Sequence, residues 1–189
     1  MKKIVLVLLL TASLYGINAQ TEAVEGDKKD YTEFGIETDL FAWRIGELFE
    51  NIYLGAWIGI PHWKFVLSGG AMNVNPGHLP DFVKSNTAYI AQLRSDWFIN
   101  KDLKGFWIGP SLSAEFADVV STEDYKSKIF IMSGGFTTGY LFKAEHVYFG
   151  PSVSIHFTIG NPQLTVHEGY TYPMPPWSFE TGFRFGYQF

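Results

Sequence analysis

With 189 residues, 47% hydrophobic and 17% aromatic, the chain has the size of one domain and too much apolar side chain to stay disordered. A net charge of -5 offers no basic excess to hold phosphates, which argues against nucleic-acid binding. The absence of cysteine excludes disulfides, thiolate nucleophiles, thiolate metal sites and a lipid anchor on Cys.

The first element is a leader: Lys2 and Lys3, the apolar run IVLVLLLTASLYG, then INA before Gln20. A basic start, an apolar stretch of about ten residues and a small residue at the cut describe a secretory signal peptide over residues 1–19, cleaved after Ala19. The run is shorter than the ~20 residues that span a bilayer as a helix. Residues 20–31, QTEAVEGDKKDY, are polar and irregular and read as a flexible lead-in.

From residue 32 to 189 the apolar pattern repeats every second residue, the period of a strand whose faces meet different surroundings. EFGIETDLFAW sets Phe34 and Ile36 against Glu37 and Asp39, and IYLGAWIGI sets Leu54, Ile58 and Ile60 against Tyr53, Trp57 and Gly59. WKFVLSGGA divides Trp63, Phe65 and Leu67 from Lys64 and Ser68; TAYIAQLRSDWFI divides Tyr89, Leu93 and Trp97 from Gln92, Arg94 and Asp96. FWIGPSLSAEF, KIFIMSGGFTTGYLF and VYFGPSVSIHFTIG repeat the division, with Ser111, Ser113 and Glu115, then Ser133 and Thr137, then Ser154, His156 and Thr158 on the polar side. WSFETGFRFGYQF is the eighth segment, its aromatics opposite Glu180 and Arg184.

A soluble sandwich and a membrane barrel both alternate in this way, and three features favour the barrel. The polar face is mostly Gly and Ser, small enough for a narrow interior. Aromatics including Trp63, Trp97, Phe106, Tyr140, Phe142, Phe149 and Phe185 fall at one rim if the strands run up and down in order. Short joins (Pro61-His62, NKDLKG, KAEH) alternate with longer ones (NPGHLPDFVKSN, STEDYKSK, NPQLTVHEGYTYPMPP), GELFEN being intermediate. The expected fold is all-β, an eight-stranded antiparallel up-and-down transmembrane β-barrel.

On these residues the chain resembles the small eight-stranded outer-membrane barrels of Gram-negative bacteria, in particular uncharacterised barrels of the Bacteroidetes type. The resemblance covers residues 32–189, and its most specific part is the tail GFRFGYQF. That tail is similar to the terminal signal read by the barrel-assembly machinery, which implies Phe183, Phe185, Tyr187 and Phe189 as an assembly signal. Outer-membrane localisation, a periplasmic lead-in, and outer-membrane lipid and lipopolysaccharide as surroundings are further implications.

The inward face collects Glu37, Asp39, Lys64, Arg94, Asp96, Glu115, His156, Glu180 and Arg184 as a candidate charge network, with Lys64, Arg94 and Arg184 expected to pair with Glu115, Glu180 and Asp96. In the last long join Tyr170, Tyr172, Met174 and Trp177 are candidates for contact with an extracellular ligand or for folding over the mouth. IHFTIGN faintly resembles the His-x-Ser-Asn signature of outer-membrane lipid A deacylases, but Thr158 stands in for the serine, the Asn is missing, and His156 faces inward. The histidines have no metal-site spacing, and no metal or cofactor is expected. The leading expectation is a barrel with a plugged or narrow lumen and a structural or surface-interaction role; the alternatives are a narrow channel or carrier for a small or apolar solute and a lipid A-modifying enzyme.

Overall fold

The computed structural model describes residues 32–40, 49–74, 81, 83–160, 163–167, 170–173 and 176–189; for 49–52, 74, 163–167 and 170–173 only the backbone is described. The leader, the lead-in and Met174 lie outside the described residues, as do the side chains of Tyr170 and Tyr172. The strands are β1 (Glu33–Asp39), β2 (Phe49–Ile60), β3 (Trp63–Val74), β4 (Val83–Phe98), β5 (Gly105–Ser121), β6 (Lys126–Ala144), β7 (Val147–Ile159), β8 (Gln163–His167), β9 (Tyr170–Pro173) and β10 (Trp177–Gln188).

Eight of them pair antiparallel in the order β1-β10-β7-β6-β5-β4-β3-β2 and close into a ring. The seam joins the first strand to the last, from Gly35↔Gln188 to Asp39↔Arg184, and the Phe189 amide donates to the Phe34 carbonyl at 2.9 Å. Closure leaves no row of unpaired amides along the seam.

Three short connections share one end of the ring with both termini of the described chain. At Pro61-His62 the turn closes the Ile60↔Trp63 pair, proline presetting the first φ and His62 taking a φ of 69°, as a type II turn requires. Connections at the opposite end depart from expectation: Phe49–Asn51 of GELFEN and Val83–Asn86 of NPGHLPDFVKSN already belong to β2 and β4. STEDYKSK shrinks to residues 122–125, because the Ser121 hydroxyl accepts from the amides of Glu123 and Tyr125 and lets β5 and β6 continue toward each other. NPQLTVHEGYTYPMPP, expected to be irregular, holds the separate two-stranded sheet β8-β9, which lies against β5 and β6.

The two faces of the ring differ as the alternation requires. Outward residues are apolar and bare: Leu67 is 65% exposed, Phe136 58% and Phe34 53%. Along β5 and β6 the outward positions between Phe106 and Phe116, and between Phe130 and Phe142, carry no charge; Asp118 and Lys128, exposed register partners, end the run.

The inward face is less polar than its sequence suggests. Toward the short-turn end Trp57, Val66, Phe98, Leu103, Trp107, Leu141 and Tyr148 form a buried cluster. A second cluster, Val83, Ala88, Ala117 and Val119 with Met72 and Ile129, lies toward the long-loop end. Large rings fit inside because glycines lie under them. A methyl group on Gly35 or Gly59 would strike the Trp57 ring, one on Gly139 the Trp107 ring, and one on Gly186 the Tyr148 phenol. Small opposite large is how a narrow ring fills its interior.

Candidate functional site

All nine residues of the expected charge network point inward, and the structure sorts them into two levels. The lower level is a compact ionic layer. Glu37 on β1 accepts from Lys64 Nζ at 2.7 Å, from Arg94 Nη2 at 2.5 Å and from the Tyr148 hydroxyl at 2.8 Å, tying together β1, β3, β4 and β7. Asp96 accepts from Arg94 Nε at 2.6 Å and from Arg184 Nη1 at 3.2 Å, with Lys64 Nζ 3.9 Å from its second oxygen. Asp39 accepts from the Phe183 amide at 3.1 Å and acts electrostatically on Arg184. Three acids thus face three bases within the ring.

Burial decides what this layer is worth. The side chains of Glu37, Lys64, Arg94, Asp96 and Arg184 are at most 5% exposed, so each charge depends on its partners for solvation. Aromatic faces supply the rest. Lys64 Nζ sits 4.7 Å from the Tyr148 ring centre and 5.4 Å from that of Trp57, and the Arg184 guanidinium lies 4.0 Å over Trp107. Trp107 is fully buried, its ring centre 4.0 Å from the Arg184 guanidinium and 5.7 Å from that of Arg94, and its indole N–H, like that of Trp57, has no hydrogen-bond acceptor. The pyrrole edges are given to packing, at the cost of those two donors.

The upper level holds Glu115, His156 and Glu180. The expected pairing of the three bases with Glu115, Glu180 and Asp96 is corrected here: only Asp96 receives them, while Glu37 and Asp39 take the places of Glu115 and Glu180. The reason is vertical distance. Arg94 is the register partner of Ser111, and Glu115 lies four residues further along β5, about 13 Å at about 3.3 Å per residue. Glu37, although early in the sequence, is brought to the layer by the β1–β10 seam at Glu37↔Gly186.

Hydroxyl-based contacts line this upper level. Tyr53 donates to Gln92 Oε1 at 2.6 Å while its oxygen lies 2.5 Å from Ser68 Oγ. His156 Nε2 is 3.0 Å from Ser111 Oγ, and its Nδ1 is 3.5 Å from Glu180 Oε1. The sequence pointed to Thr158, two residues along the same strand, as the hydroxyl associated with His156; the structure brings Ser111, 45 residues away, to the imidazole. Ser111, Tyr53, Gln92, Tyr148 and Trp107 are among the described interior residues that sequence reasoning did not select for a site. Their inward parity was visible, but their partners depend on register across the ring.

The remaining expected residues lie at the two ends. Trp177 is exposed at the start of β10, next to the long-loop end. Phe183 stacks at 6.2 Å on Phe149, Phe185 is the register partner of Phe149, and Tyr187 and Phe189 meet edge to face at 5.5 Å. With Phe142 on Phe149 at 5.6 Å and Tyr140 on Phe142 at 4.8 Å, they continue an outward aromatic band at the short-turn end. Among the described residues no cluster of three metal-binding side chains occurs. No known protein family matches the chain, and no curated protein matches it.

Proposed function

We propose that the protein is a transmembrane β-barrel of a bacterial outer membrane, exported through its 1–19 leader, with a sealed interior and a structural or surface-interaction role exercised through its long-loop end. The observation that carries this reading is the outward surface: a closed ring bearing exposed Phe34, Leu67, Leu93, Leu112, Phe136 and Phe157. So large an apolar surface is costly in water and is matched by lipid. The run from Phe106 to Phe116, tilted by about 40°, covers roughly the ~25 Å apolar band of an outer membrane. Lipid and lipopolysaccharide are then its surroundings, and the closing aromatics through Phe189 are read by the assembly machinery.

The ionic layer with its aromatic floor supports sealing. Reconstituted in planar bilayers, the protein is expected to pass no steady current. A steady conductance unchanged by substitutions at Glu37, Arg94 and Asp96 would contradict the sealed reading and favour a narrow channel. Removing Phe189 is expected to cut outer-membrane assembly in cells several-fold while refolding in detergent stays unchanged; equal loss in both settings would show a purely structural role for that residue.

A further inference from the structure

We infer that Ser111, His156 and Glu180 form a nucleophile, base and carboxylate relay that hydrolyses a slim carboxylic ester entering the ring from its long-loop end. The inference goes beyond the sealed-barrel reading, and it uses polar side chains on the mouth side of the ionic layer to which that reading gives no role.

The geometry is built across strands. Ser111 on β5, Gly135 on β6 and His156 on β7 occupy one register row, Ser111↔Gly135 and Gly135↔His156. Side chains two strands apart start about 10 Å from each other, too far for serine and histidine unless the position between them is empty. Gly135 empties it: a methyl group there would overlap the His156 ring. The imidazole therefore lies over Gly135, with Nε2 3.0 Å from the Ser111 hydroxyl and Nδ1 3.5 Å from the Glu180 carboxylate on β10. Glu180 positions the ring with its proton on Nδ1, leaving Nε2 to accept from Ser111, the division of roles that activates a hydroxyl.

Ser111 and His156 are buried, while the Glu180 side chain is 60% exposed, so the relay runs from the interior toward solvent. Above the serine, Glu115 is flanked in register by Ile90 and Ile131, with Ala88, Ala117 and Val119 beyond them, so an acyl chain entering from that end would meet apolar side chains.

The steps balance without a metal or redox partner. Ser111 Oγ adds to the ester carbonyl as its proton passes to His156 Nε2. The tetrahedral adduct then expels the alcohol, which takes that proton and leaves the acyl group on Ser111. Water, deprotonated by the same nitrogen, attacks the acyl carbonyl. Carboxylic acid leaves, and the proton returns to Ser111.

The test uses the full-length chain folded in detergent micelles, with heat-modifiable gel migration as the measure of folding. A fluorophosphonate probe is expected to add to Ser111, located by peptide mass spectrometry, and to fail to add in His156→Gln. Hydrolysis of p-nitrophenyl butyrate is expected to fall about 100-fold or more in Ser111→Ala and His156→Gln, as loss of a nucleophile or general base requires. Ser113→Ala, the next inward serine, should leave it unchanged. Glu180→Gln should lower kcat with KM unchanged, and Glu180→Asp should restore part of it. Absence of a Ser111 adduct in folded wild-type protein, or turnover retained by folded Ser111→Ala, overturns the proposal; should Ser111→Ala not fold, the wild-type adduct decides.

Discussion

Arg94–Asp96 and Lys84–Asp124 are ion pairs of the same length, 2.6 Å, in different surroundings. The first lies inside the ring with both side chains at most 3% exposed; the second joins β4 to the turn after β5 at the long-loop end, with side chains 59% and 73% exposed. Distance alone would rank them equal. Inside, each charge has exchanged water for Glu37, Arg184, Lys64 and the Trp107 face, so removing one member leaves the others unsolvated. At the mouth, water solvates either partner once the other is gone. The hydrogen bond from Lys84 still holds the Asp124 carboxyl below its ordinary range. That pair is therefore present above the unfolded carboxylate's range and is released as pH falls through the lowered one.

The contrast predicts a graded series of effects, read by urea unfolding in lipid vesicles. Asp96→Ala should be the most damaging, about 3–5 kcal/mol, because it strips Arg94 and Arg184 of a shared partner. A loss below about 1 kcal/mol would mean that water reaches the layer. Trp107→Ala should cost about 3 kcal/mol by opening a cavity beside Phe98 and beneath two guanidiniums. Gly139→Ala should cost about 1–3 kcal/mol, since the added methyl meets the Pro151 carbonyl oxygen as well as the Trp107 ring; an unchanged midpoint would show that strand and ring both have room to move. Lys84→Ala should leave stability within error, and so should acidification through the range of Asp124. A loss matching that of Asp96→Ala would erase the distinction between the two settings.

Much of the architecture is legible in the sequence because the period of two is enforced on every strand. Along the described strands the outward residues follow parity, interrupted in β4 by the register shift between Val83 and Ser85, and the seam forms between the first and last alternating segments. Loop lengths were less legible: whether STEDYKSK stays open depends on where the Ser121 hydroxyl finds its amides. The interior was legible as a set but not as a network. Parity puts Glu37 and Glu115 on the same face, yet the register of the pairing, which no local pattern encodes, assigns Glu37 to the layer and lifts Glu115 away from it. Trp57, Trp107 and Tyr148 look misplaced among polar neighbours until the glycines beneath them are matched across strands.

The central claim is that the outward face meets lipid and the inward face does not. Single spin labels at Leu93, Leu112 and Phe136 on one face, and at Ser68, Ser113 and Ser133 on the other, test it directly by their collision rates with oxygen and with a water-soluble nickel chelate in reconstituted bilayers. The predicted result is high oxygen and low nickel accessibility at the three outward sites, alternating with protection from oxygen at the inward sites. Nickel accessibility at Leu93, Leu112 and Phe136 equal to that of a freely hydrated site would contradict it.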